Sequence, residues 1–320
     1  MTSPDKAAPA APRPEIPLTG ILHLLIIYVV WGSTYLAIRV AVQEGSGFPP
    51  FTVGALRTLA GGAILWGLAA LRRRRLRLTS YETGVLVASG LLLWTGGNGL
   101  VTWAETRAES GYAALIIATT PIWIALMEAV ADRRVPPPLL IFSLLLGLAG
   151  IAVVSIPQWT GGDPRDRTAL AALLLAEFCW SLGSVLQRRR PVGVAPQVSA
   201  AYQQLFGSVG FFAIALLVNE PVPAPTREAA LAWLYLVIMG SVVAFSSYVA
   251  ALQLLPTRIV ATHNYVNPVI AVLLGAAILG EAITPVTGVG MILLLISVAG
   301  VFRATYRPSL RPAELEASLT

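Results

Sequence analysis

The chain has 320 residues, 56% of them hydrophobic and only 12% charged, with a mean hydropathy of +0.74. Soluble domains carry about 25% charged residues, so this composition excludes an ordinary soluble fold, and the length-to-domain rule for soluble chains does not apply. The net charge of +6 does not signal a nucleic-acid partner, because the arginines sit at the edges of apolar runs with no basic patch interleaved with aromatics. In chain order, residues 1–17 are rich in Ala and Pro and read as a disordered tail. The first apolar run, 18–42, is too long for a cleavable signal peptide. Ten apolar segments are predicted as helices, at 18–41, 50–71, 81–104, 110–131, 136–156, 168–188, 197–219, 229–252, 257–280 and 284–304. Each has about 20 residues, enough to cross about 30 Å of hydrocarbon. The links carry Pro, Gly or charge and leave no room for a soluble domain. The expected fold class is an all-α polytopic membrane protein.

Lys and Arg set the orientation. With the N-terminus inside, the inner segments hold 16 of them, including Arg72 to Arg75, Arg133, Arg134, Arg188 to Arg190 and Arg258. The outer ends hold 5 (Arg39, Arg107, Arg165, Arg167 and Arg227), and Arg57 falls inside a span. Both termini are therefore expected in the cytoplasm, with 306–320 a second tail. Cys179 is the only cysteine and permits no internal disulfide.

The two halves resemble each other. Trp31 and Arg39 match Trp180 and Arg188 at an offset of 149. Pro121 matches Pro268 at an offset of 147, and there Ala104 falls on Ala251 and Arg57 on Gln204. A near-constant offset through several helices points to an internal repeat, 18–156 and 168–305. Five spans per half is an odd number, so the second half enters from the opposite side. The result is a 5+5 inverted repeat, which transporters use to place a site at the midplane, open alternately to either side.

The stretch His263 to Glu281 is apolar overall but polar along one face. At about 100° per residue, His263, Asn264 and Asn267 share that face with Ala271 and Gly275. Pro268 has no amide proton, so the carbonyl of Asn264 loses its helical partner. Such groups need protein or trapped water around them. The face is expected to line a cavity, a polar helix–helix contact being the plainer alternative.

Other candidates follow the same logic. Glu177 shares a face of the sixth helix with Ser181, Ser184 and Arg188. An ionisable group at this depth is costly and is a candidate for proton coupling, the alternative being a structural pair with an arginine. Arg57 could fork onto a carboxylate, but a structural charge is favoured, by snorkelling or by pairing with Glu44 or Glu105. Thr95, Asn98, Thr102 and Glu105 form a stripe on the third helix, with Asn98 a substrate or helix contact. Thr120 is the repeat mate of Asn267, and Pro121 frees the carbonyl of Ile117. Trp31, Tyr35, Trp103, Tyr112, Trp123, Trp180 and Tyr248 could wall a cavity; the repeat singles out Trp31 and Trp180. His263 could carry protons or act as a neutral hydrogen-bond partner. Glu128, near the inner end of the fourth helix, is expected to face inner water.

With WGSTYLAIR at the start, GNGLVTWAE, a proline in the fourth and ninth helices, and NPVIAVLLGAAILGE, the chain resembles EamA-type members of the drug/metabolite transporter superfamily. Within them it resembles the YedA-like branch of bacterial inner-membrane proteins. The resemblance covers about 18–305. It implies a ten-helix basket around a central cavity, in the inner membrane, exporting small amphipathic metabolites such as amino acids. The family pattern usually ends both the fourth and ninth helices with Gly-Glu. Gly280–Glu281 fits, whereas the fourth ends Ala131–Asp132–Arg133–Arg134, which puts a symmetric glutamate pair in doubt.

The expected function is secondary transport by alternating access, with a small-molecule substrate, the bilayer as surroundings, and no cofactor, metal or nucleic acid. An intramembrane enzyme would need a paired nucleophile and base, or two aspartates. Asp5, Asp132, Asp163 and Asp166 all fall outside the spans, and neither G-x-S-x-G nor H-E-x-x-H occurs. No phosphate-binding G-x-x-x-x-G-K-[ST] loop suggests a primary pump. An uncoupled facilitator or channel is the remaining alternative.

Overall fold

The computed structural model describes residues 17–133, 135, 137–156, 164–255, 260 and 262–305. The predicted tails before residue 17 and from 306 onward, the first seven residues of the 157–167 loop, and Arg134 and Arg258 lie outside the described residues. Every regular element among the described residues is helical.

Prolines and caps set where the helices start. α1 (Leu18–Val42) follows Pro17, and α2 (Pro50–Leu71) opens with proline at its first position, where no amide bond is lost. α3 (Ser80–Ala104) starts with a capping box: Thr79 accepts from the Glu82 amide while Glu82 accepts from that of Thr79. α4 (Ser110–Ala131) breaks at Ala118–Thr119, ahead of Pro121. α5 (Pro138–Val154) and α7 (Pro196–Leu217) again open on proline, with α6 (Pro164–Arg189) between them. α8 runs through Arg227–Tyr235, Leu236–Ala244 and Phe245–Leu254. α9 joins His263–Leu274 to Gly275–Leu279, and α10 spans Pro285–Thr305. Residues 257–259 and 261 of the predicted ninth span lie outside the described residues. α9 ends where Gly280 takes φ +70°, a conformation open to glycine without a Cβ penalty. The helix widens to a π-helix at Leu91–Asn98 in α3, Leu236–Ala244 in α8 and Gly275–Leu279 in α9.

α1, α2, α3, α4, α7, the Arg167–Arg189 part of α6 and the Arg227–Tyr248 part of α8 are long and apolar enough to cross a membrane. Pro138–Val154, Val266–Leu279 and Pro285–Gly300 are shorter apolar helices. Many large apolar side chains point outward, such as Leu25, Val29, Phe142 and Ile296, as expected of helices solvated by lipid.

α2 packs along α7, and α5 along α10. α1 lies against α8 and α9, while α6 lies against α3 and α4. Small residues set these close approaches: a Cβ on Gly54 of α2 would fall 2.3 Å from the Phe211 ring of α7.

Candidate substrate cavity

A cavity of about 370 Å³ lies among α1, α2, α3, α4, α6, α7, α8 and α9. Trp31, Arg57, Asn98, Thr120, Glu177, Trp180, His263, Asn264, Asn267 and Pro268 all line it. Pro121 does not; it starts the second half of α4 beside Thr120. At one end the lining reaches helix termini: Gln187 lies two residues from the end of α6, and His263 is the first residue of α9. Toward the other end it stops about a turn short, at Ile38, Val101 and Ala114.

One wall is aromatic. The Trp31 ring centre lies 5.1 Å from that of Tyr248 and 5.2 Å from that of His263, and the Trp31 indole donates to the Gly240 carbonyl at 3.4 Å. Trp94 and Trp180 meet edge to face at 6.4 Å. Beside them Arg57 is only 6% exposed. Its Nε donates to Ser241 Oγ and its Nη1 to Asn98 Oδ1, both at 3.2 Å, and its guanidinium sits 5.9 Å from the Trp94 ring centre. It therefore neither snorkels nor pairs with Glu44 or Glu105; among the described residues no carboxylate forms an ion pair with it.

The polar wall lies on α4, α6 and α9. Glu177 is 1% exposed, lines the cavity together with Thr120, and has one carboxylate oxygen without a protein partner among the described residues. Among the described residues no arginine forms an ion pair with Glu177. Arg188 is ion-paired with Glu128 instead, so Glu128 is bound in an interhelical pair and not simply open to inner water. Asn267 Oδ1 and His263 Nδ1 likewise have no hydrogen-bond partner among the described residues. The Ile117 carbonyl freed by Pro121 is taken up by the Thr120 hydroxyl at 2.7 Å.

The stripe on the third helix does not survive intact. Thr95 donates to the Gly207 carbonyl of α7, Thr102 to the Asn98 carbonyl, and Glu105 is fully buried away from the cavity. The π-helix at Leu91–Asn98 is the reason: its wider turns rotate Thr95 out of line with Asn98. Of the seven aromatic candidates, Trp31, Tyr35, Trp180 and Tyr248 reach the cavity, while Trp103, Tyr112 and Trp123 do not. The repeat points to Gln204, but its neighbour Gln203 lines the cavity, while the Gln204 amide is buried near Gly61. Gln187 also lines it, and the face Glu177, Trp180, Ser184, Gln187 would have pointed to it in place of Arg188.

At the closed end, the Glu281 carboxylate accepts from the Ser110 amide at 2.8 Å, the Gly111 amide at 3.0 Å and the Ser110 hydroxyl, tying the α9–α10 link to the start of α4. Arg39 donates to the Glu105 carbonyl at 2.5 Å close by. Asp132, at the position where the family pattern would place the other glutamate, pairs with Arg189 at 2.5 Å. Glu220, which the sequence did not single out, caps α2 through the Phe51 and Thr52 amides, both at 2.8 Å.

An all-helical, lipid-solvated chain with a polar cavity buried among its helices is the architecture of a membrane carrier. The chain belongs to the EamA-like transporter family, whose pattern matches residues 18–156 and 167–303. It is 30% identical to the uncharacterized inner membrane transporter YedA of Escherichia coli (strain K12), over 96% of this chain and 98% of that one. It is also 24% identical to protein PecM of Dickeya dadantii (strain 3937), over 89% of this chain and 94% of the relative. A crystal structure with 22% sequence identity shares the fold, with a TM-score of 0.62 over 88% of this chain and 96% of its own.

Proposed function

We propose that the chain is a secondary transporter of the inner membrane that exports small amphipathic metabolites, such as amino acids, by alternating access. The observation that carries this reading is the central cavity, which joins an aromatic wall to buried polar groups lacking protein partners among the described residues. Buried polar atoms without partners are costly, and a substrate is what would satisfy them. Asn98, Thr120, His263, Asn264 and Asn267 contact substrate in this reading, with Trp31 and Trp180 as walls.

In the same reading all ten helices cross the membrane as a 5+5 inverted repeat, with both termini in the cytoplasm. The packing supports the repeat. Exchanging the halves turns the α1–α8 and α1–α9 contacts into the α6–α3 and α6–α4 contacts, and maps the α2–α7 and α5–α10 pairs onto themselves. Cysteines placed at Thr160 and Ser80 label from opposite faces if the orientation is right. Labelling of both from one face would refute it.

Glu177 is the residue proposed to couple transport to protons, since it is the buried carboxylate on the cavity wall. The deciding experiment is counterflow in proteoliposomes with labelled amino acids and related metabolites at two pH values. Saturation with counterflow marks a carrier. Linear flux without counterflow marks a channel, and chemical conversion of the substrate marks an enzyme.

A further inference from the structure

We infer that Arg57 is the carboxylate anchor of this cavity, so that the transported compounds are amphipathic carboxylates, held by their acid group on α2 and by their apolar body against the rings of α1, α8 and α9. This rests on the transport reading and deepens it. Arg57 is buried, yet none of the ion pairs among the described residues involves it. An arginine remains charged in a protein, and a buried charge calls for a counter-charge. Two of its nitrogens are fixed by Ser241 and Asn98, and the Trp94 face supports the plane of the guanidinium. These three contacts orient the fork, and the buried Glu105, though within electrostatic reach, forms no ion pair with it. Its Nη2 makes no hydrogen bond among the described residues, and the side chain lines the cavity. A rigid, cavity-facing guanidinium with a spare donor edge suits a carboxylate oxygen.

The geometry also places the rest of the ligand. Gly240 sits between the fork and the ring cluster. Its carbonyl takes the Trp31 indole proton, and a Cβ there would fall 3.3 Å from Arg57 Nη2 and 3.2 Å from Thr34 Cγ2. An acid group at Arg57 is thus next to the Trp31–Tyr248–His263 cluster, with glycine leaving room between them.

The test compares L-phenylalanine, 3-phenylpropionate and L-phenylalaninamide as competitors of counterflow, with affinities followed by quenching of tryptophan fluorescence in the purified protein. The amide lacks the carboxylate; the propionate lacks the ammonium. A charge-assisted hydrogen bond contributes enough for the amide to bind about 10- to 100-fold more weakly than the acids. Arg57→Gln should erase that difference by weakening the acids alone, and Arg57→Lys should restore part of it. Gly240→Ala, which crowds the fork without removing it, should also weaken the acids selectively and covers the case in which the Arg57 variants do not fold. Equal binding of acids and amide by the wild type, or equal losses for both in a folded Arg57→Gln protein, would overturn the anchor. Counterflow that proceeds with the amide as readily as with the acids overturns the anchor and leaves the transport reading standing. Absence of counterflow with a wider metabolite panel removes the transport reading itself.

Discussion

Replacing Glu281 with Gln tests what closes the cavity at its α4 end. From the α9–α10 link, the carboxylate receives two backbone amides and a hydroxyl at the first turn of α4. A glutamine keeps one acceptor oxygen for one of the two amides and loses the negative charge. The lost charge-assisted bond contributes roughly 1.5–3 kcal/mol, and the charge at a helix N-terminus adds up to about 1 kcal/mol at an accessible site. A net loss of about 2–3 kcal/mol is therefore expected. If the cap forms only when this end is closed, the same energy shifts the closed-to-open ratio by about 30- to 150-fold. The assay uses a Cys179→Ser background carrying Ala114→Cys, a lining position near the closed end. Labelling by an impermeant maleimide added outside should accelerate strongly in Glu281→Gln. A protein that melts earlier but labels at the unchanged rate would show that the cap stabilises the fold in both states and gates nothing.

Glu177→Gln should remove the pH dependence of net flux while leaving exchange largely intact; unchanged pH dependence would mean that the residue is structural or a substrate contact. Asn267→Ala should weaken substrate binding by roughly 1–3 kcal/mol, because it removes a buried amide otherwise available to substrate, whereas Leu274→Ala on the same helix should alter stability more than substrate preference. A lower melting temperature with unchanged affinity for Asn267→Ala would make that face helix packing. Gly54→Ala should destabilise by about 1–3 kcal/mol, since its Cβ would drive into Phe211 and separate α2 from α7; a variant that melts like the wild type would mean the interface yields more easily than the packing suggests.

Much of the cavity was legible because polarity within an apolar run is conspicuous. His263, Asn264 and Asn267 stand out from their neighbours at helical spacing, and the structure turns that face, with Glu177, onto one space. Helix bounds were legible for a related reason: Pro49–Pro50, Pro137–Pro138 and Thr79–Glu82 mark starts by chemistry alone. What failed was pairing. Arg57, Glu128 and Arg188 each had several partners within reach along the sequence, and only three-dimensional packing sends Arg188 to Glu128 and leaves Arg57 with Asn98 and Ser241. Glu220 was missed because a carboxylate beyond a helix end looks solvated until the start of α2 is seen beside it.

The failure on α3 has a more specific cause with a functional side. A 3.6-residue period holds only while the helix stays α, and α3 and α8 both leave it, over Leu91–Asn98 and Leu236–Ala244. Shifting the first by the repeat offset of 147 lays it on 238–245, over most of the second. Both segments meet the Arg57 fork: Asn98 and Trp94 from one, Gly240 and Ser241 from the other. A π-helix shifts the residues that follow it out of the α register and is frequent at functional sites. Here the two widened segments carry the hydroxyl, the amide and the ring that surround a single arginine. In a straight α-helix Trp94 and Thr95, at i−4 and i−3, would both face the side that carries Asn98; the widened turns keep Trp94 there and turn Thr95 toward α7.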